Sequence, residues 1–193
     1  MTRRLLFAVF AAVTAASLLL AGCAPLLVAG AVGGTALVVA DRRSTGAQVD
    51  DEAIELKIAN NIGAGYGDQV HVNATSFNGI VLLTGEVPTQ DLVATIGEIA
   101  RREVKVRRVE NDLTVGPVSS LGDRTNDSYI TSKVKARFVE ANKFAANHVK
   151  VVTERQVVYL MGIVRRDEGD TAGQLAATTS GVVRVVKLFE YIG

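Results

Sequence analysis

Tryptophan is absent from this 193-residue chain, cysteine occurs once, histidine twice and proline three times. A single cysteine rules out an intrachain disulfide, and with only His71 and His148 beside it the chain falls short of the four soft ligands of a structural zinc site. An excess of either charge is also missing. The formal net charge of +1 argues against the basic surface of a general nucleic-acid binder. No G-x-S-x-G, P-loop or H-E-x-x-H sequence is present, and Gly63-Ala-Gly-Tyr-Gly67 follows a helical stretch, so it reads as a helix end and loop, not a dinucleotide site. His71 in a predicted strand and His148 at a strand entry would need two unrelated loops to converge before they could form a dyad. The expectation is therefore a protein without enzymatic activity, metal or cofactor. Charge is missing altogether from residues 5 to 40, which accounts for the mean hydropathy of +0.25 and the 48% hydrophobic content. The rest has the composition of an ordinary soluble protein.

Residues 1–22 carry Arg3 and Arg4, an apolar run from Leu5 to Leu20 and then small residues, the layout of a secretory signal peptide. Leu20-Ala21-Gly22-Cys23 resembles a lipoprotein lipobox, which would make Cys23 the acylated N-terminus of the mature chain. An uncleaved membrane span is the alternative, but Pro25 and Gly33-Gly34 interrupt the run. Several acyl chains would hold the protein durably, as one alone does not. Ala24 stands where an Asp would resemble an inner-membrane retention signal, so the expected destination is the outer membrane. Residues 23–49 are read as the lipidated cysteine and a flexible tether. The mature chain has 19 basic and 20 acidic side chains.

The remainder is one unit written twice. Setting Asp51 against Asp127, a shift of 76, pairs Ile54 with Ile130, Lys57 with Lys133, Ile58 with Val134 and Ile62 with Phe138, the spacing of one helix face. Asp50, Asp51 and Asp127 are expected to start those helices, near 51–62 and 127–141. Two strand-like runs follow in each copy. Val70–Phe77 and Ile80–Val87 flank Asn78-Gly79, a strong hairpin signal, and residues 149–153 and 157–164 flank Glu154-Arg155. Gly85 and Gly162 coincide at a shift of 77, which marks a bulge or a close backbone approach in both copies. A helix (89–102; 167–179) and a closing strand (104–115; 182–192) complete each copy. The fold class is thus α+β: two modules of order α-β-β-α-β, residues 50–116 and 127–193, each a small mixed sheet packed on helices, joined by a polar linker at 117–126.

With the order established, Gly162, the run from Gly181 to Val185 and the strand from Val157 to Val164 resemble the BON family, named for bacterial osmotically induced and nodulation proteins. A lipobox, the stretches 44–51, 125–134 and 157–162, and two modules together are similar to dual-BON outer-membrane lipoproteins. The resemblance implies a non-enzymatic lipoprotein that binds anionic phospholipid, especially phosphatidylglycerol, supports barrier integrity and gathers at division sites. It also implies that the first helix of the second module carries the lipid contact, led by a Trp where this chain has Tyr129. Tyr suits an interface but buries less.

The charges point the same way without the family. Residues 50–116 hold 6 basic and 11 acidic side chains, whereas 127–193 hold 10 and 7, so only the second copy is drawn to an anionic surface. At ~100° per residue the helix from Asp127 places Ile130, Val134, Phe138 and Ala141 on the core face. Tyr129, Lys133 and Ala136 lie opposite, with Val139 beside them and Arg137 flanking. These five are the candidate phospholipid contacts. Two expectations compete with this one: a solvated helix whose Tyr and Val pack on the first copy, and an adaptor whose outward helix or acidic first copy docks envelope assembly or division proteins without recognising lipid.

Overall fold

The computed structural model describes residues 41–193; the signal peptide, Cys23 and most of the tether lie outside the described residues. The first module runs α1 (Thr45–Tyr66), β1 (His71–Phe77), β2 (Ile80–Val87), α2 (Gln90–Arg101), β3 (Arg108–Asn111) and β4 (Thr114–Val115). The second runs α3 (Leu121–Ala141), β5 (Val149–Glu154), β6 (Val157–Val164), α4 (Arg166–Ala177) and β7 (Arg184–Tyr191). In each module the central strand pairs antiparallel with the strand before it and parallel with the strand after the helix. Both sheets are therefore mixed, as the α-β-β-α-β order requires.

Burial of the central strands explains their composition. Val81, Leu83 and Val87 of β2 pack with Ile54, Ile58, Ile62 and Ile96, while Ile80 and Leu82, on the opposite face, join Tyr159, Met161 and Leu188 of the second sheet. Val158, Leu160 and Val164 of β6 face Ile130, Val134 and Phe138. The two sheets thus share an apolar layer, and each keeps its helices on the far side. A strand covered on both faces needs apolar residues at successive positions, which is how Ile80–Leu83 and Val157–Met161 read.

Polar bonds fasten the rim of this layer. Lys150 donates to Glu55 at 2.8 Å, Asn73 to Glu154 at 2.9 Å and Asn78 to Glu190 at 2.8 Å. Tyr159 donates to Asp112, and burial together with that carboxylate pushes its phenol well above the ordinary value.

The aspartates expected to start the helices do something else. Ser44 and Ser120 are the N-caps, the latter in a reciprocal box with Asp123, so α1 and α3 begin six residues before Asp51 and Asp127. Both aspartates are buried one turn and more inside their helices and accept the backbone N–H groups of the hairpin turn. Asp51 takes those of Asn78 and Gly79 at 2.7 and 2.9 Å; Asp127 takes those of Arg155 and Gln156 at 2.8 and 2.9 Å. Burial opposes the charge of Asp51, but bonds from Ser76, Gly79, Arg43 and Asn78 outweigh it and hold the carboxyl below its usual range. The turns differ in strain. Asn78 and Gly79 suit positive φ, whereas the second copy places Arg155 and Gln156 there at 51° and 62°.

The expected close approach at the paired glycines is present. A Cβ on Gly85 would stand 2.0 Å from the His71 carbonyl oxygen, and one on Gly162 2.4 Å from that of His148. Three expectations need correcting. The 117–126 linker is helical from Leu121, because hydroxyl and amide side chains conceal a helix that has no apolar period there. Helix α1 likewise runs on through Gly63 and Gly65 to a cap at Gly67, and upstream takes in residues 45–49 at the end of the expected tether. The closing strand of the first module does not begin at Val104: Lys105 has φ 73°, pairing starts at Arg108, and Leu113 breaks the strand by turning into the core.

Candidate functional site

Helix α3 buries Asp127, Ile130, Val134 and Phe138 along one side. Opposite them, Tyr129 is 62% and Val139 67% exposed, and Ala136 between them is exposed as well. The early start of α3 adds Leu121, 80% exposed, which falls on the same line at ~100° per residue. Sequence reasoning missed it by reading linker there; the Ser120-x-x-Asp123 capping pattern was the signal. Bonds from the Ser120 hydroxyl and backbone hold the Asp123 carboxyl below its usual range.

The polar residues along this face are quieter than their composition suggests. Thr125 donates its hydroxyl to the Leu121 carbonyl at 2.8 Å, Ser128 to that of Arg124 at 3.0 Å and Ser132 to that of Ser128 at 3.0 Å. Hydroxyls turned onto their own helix compete less for water, so the stripe from Leu121 to Val139 is more apolar than its letters.

Two cations flank the stripe, both half-buried. The Lys133 ammonium lies 4.6 Å from the centroid of the Tyr129 ring and donates to the Ser180 carbonyl. Arg137 donates to the Leu175 carbonyl at 2.7 Å and to the Thr178 and Thr179 hydroxyls at 2.9 and 3.1 Å, closing the C-terminal end of α4. Neither forms an ion pair with a carboxylate among the described residues, so their charge is held in place without being neutralised. One carboxylate, the exposed Glu140, stands on the same side of α3 and opposes them. Tyr129 and Val139 are exposed and not packed on the first module; with exposed Ala136 and half-buried Lys133 and Arg137 they share one side of α3, Arg137 also serving the fold.

A profile of the BON domain matches residues 50–117 and again 126–193. The chain belongs to the BON-domain family. It is 37% identical over 182 residues to the outer membrane lipoprotein DolP of Haemophilus influenzae, covering 92% of both chains. It is 32% identical over 154 residues to the 21 kDa hemolysin of Actinobacillus pleuropneumoniae, covering 79% of each. Among solved structures, the C-terminal domain of CdsD from the type III secretion system of Chlamydia trachomatis is similar at 14% identity and a TM-score of 0.30, covering 72% of this chain and 96% of that one, a likeness too slight to carry an argument. With two BON modules and this likeness over nearly its whole length, the chain is an outer-membrane lipoprotein similar to DolP. No helix among the described residues is long and apolar enough to cross a membrane.

Proposed function

We propose that this BON lipoprotein, anchored through Cys23 and facing the periplasm, binds anionic phospholipid such as phosphatidylglycerol with the outward face of α3 and so supports outer-membrane integrity at division sites. The observation that carries the proposal is the line of exposed Leu121, Tyr129 and Val139 beside Lys133 and Arg137, whose charges no carboxylate among the described residues neutralises. Shallow insertion of such apolar side chains between headgroups, with cations at the rim, suits an interfacial helix. Basic residues near an anionic surface add about 1 kcal/mol each. Neither catalysis nor a cofactor has a part in this reading.

Residues 41–193 hold both modules and all three apolar clusters, so the fragment without the anchor is the test object. Its co-sedimentation with vesicles is expected to rise with phosphatidylglycerol content and to fall several-fold in Tyr129→Glu and Lys133→Glu. No sedimentation at any composition, by a fragment with native circular dichroism, would overturn the proposal and favour a protein adaptor, for which the acidic first module and the exposed Leu56 offer a surface.

A further inference from the structure

Glu86, near the end of β2, is 1% exposed, and one of its carboxylate oxygens has no hydrogen-bond partner among the described residues. The other accepts the Ser119 N–H at 3.1 Å. A buried carboxylate oxygen left unsatisfied loses its hydration without replacement, so its presence asks for a reason. The duplicated fold supplies a control. At the shift of 77 that pairs Gly85 with Gly162 and Val87 with Val164, Glu86 pairs with Ile163, an aliphatic residue packed against the inter-sheet layer. The module therefore accepts an apolar side chain at this position, and the carboxylate is not demanded by the sheet.

Glu86 lines a cavity of about 530 Å³ where the end of β2 meets the start of α3 and the β5–β6 turn. Asp123, Asn126 and Asp127 line it too, with Arg155 as its one cation. Asp127 is consumed by the turn, whereas among the described residues Ser120 bonds only one oxygen of Asp123, and Asn126 contributes an amide. The carboxylates do not converge into a metal-binding trio among the described residues. A group with several N–H donors and a single positive charge satisfies such a lining better than an anion or an apolar ligand.

We propose that this cavity binds a primary ammonium on an unbranched chain, with Glu86 as its buried acceptor and Asp123 as its outer one. A lysine side chain of a partner protein and a free polyamine share that chemistry. The site lies to the side of the outward stripe of α3, so it stands independently of lipid contact there.

The test is amide-shift titration of the full-length lipidated protein in dodecylmaltoside micelles. N-acetyl-lysine methylamide is expected to shift the amides of Glu86, Ser119 and Gln156 saturably, and N-acetyl-norleucine methylamide to leave them in place. Glu86→Gln should weaken binding about tenfold or more, the loss of a charge-assisted bond. Asp123→Asn, at an exposed position, should weaken it a few-fold and decides the matter if Glu86→Gln loses its fold. Tighter binding of the lysine derivative than of cadaverine assigns the site to a protein side chain; the reverse order assigns it to a polyamine. Equal shifts with norleucine, no shifts at saturation, or undiminished binding by folded Glu86→Gln or Asp123→Asn would each overturn the proposal.

Discussion

Arg42 grips Glu168 with both terminal nitrogens, at 2.6 and 2.9 Å, and also donates to the Ile163 carbonyl at 2.9 Å. Its neighbour Arg43 bonds Asp51 at 2.8 Å and lies 4.1 Å from the centroid of the Phe77 ring. Two consecutive arginines at the foot of the tether are thus divided between the modules, one to each. The point where the chain leaves toward its anchor is fixed against both.

Arg42→Ala is expected to lower stability by about 1–2 kcal/mol, less than the 3–5 kcal/mol typical of a broken buried pair. Arg165 still donates to Glu168 through its backbone at 2.8 Å and its guanidinium at 3.0 Å, so the carboxylate is not abandoned. Urea denaturation of fragment 41–193 measures the difference. A cost above about 4 kcal/mol would mean that Arg165 does not compensate.

Acid should loosen this region first. The bond from Arg42 lowers the Glu168 carboxyl, and the Asp51 carboxyl is lowered against its own burial. Depressed folded-state values give stability that is present above the ordinary carboxylate range and lost as pH falls through it toward the folded values. The melting temperature is expected to hold near neutrality and to drop below about pH 4. Asp51→Asn should flatten that drop; a variant that keeps the full drop would clear Asp51 of the effect.

The paired glycines offer a graded test. Gly85→Ala brings a methyl within 2.0 Å of a backbone oxygen at φ 117°, and Gly162→Ala within 2.4 Å. Gly85→Ala should cost about 3 kcal/mol or more and Gly162→Ala less, because only the first adds a left-handed backbone to the clash. Equal losses in chemical denaturation would show the backbone term to be idle.

At the second hairpin, Gln156→Gly should raise stability by about 1 kcal/mol by relieving a left-handed glutamine, whereas Asp127→Ala should cost about 2–4 kcal/mol by stranding two turn N–H groups. Thermal melts of the two variants should move in opposite directions.

Glu140→Gln removes the one opposing charge on the outward side of α3. Binding to phosphatidylglycerol vesicles is expected to strengthen a few-fold, with a smaller gain at high salt. Unchanged binding at low salt would count against contact through this face.

What could be read from the sequence tracks how strongly burial writes itself into a period. Ile54, Ile58 and Ile62 and their partners Ile130, Val134 and Phe138 are buried because they face a sheet, and that repetition exposes the two modules and their helix faces. The paired glycines carry equal information, since a close backbone approach admits no other residue. Leu121 stayed hidden because the turns around it are polar and exposed, with no apolar spacing to reveal them. Asp51 and Asp127 misled in another way. A carboxylate near a helix start has an ordinary local explanation, and the hairpin turn that claims it lies 27 to 29 residues away, at a distance no local pattern encodes. Glu86 was invisible for the same reason: a charged letter in an apolar strand says nothing of the cavity beside it.

The apolar layer between the sheets has a further consequence for a chain delivered to the envelope from its N-terminus. Ile80 and Leu82 gain their cover only when Tyr159, Met161 and Leu188 arrive, the last from the final strand of the second module. Until then the first module presents a bare aliphatic sheet, the kind of surface that aggregates or recruits a chaperone. Folding of β7 therefore completes the cover of the first module's sheet as well as that of its own, and ties the solubility of one module to the completion of the other.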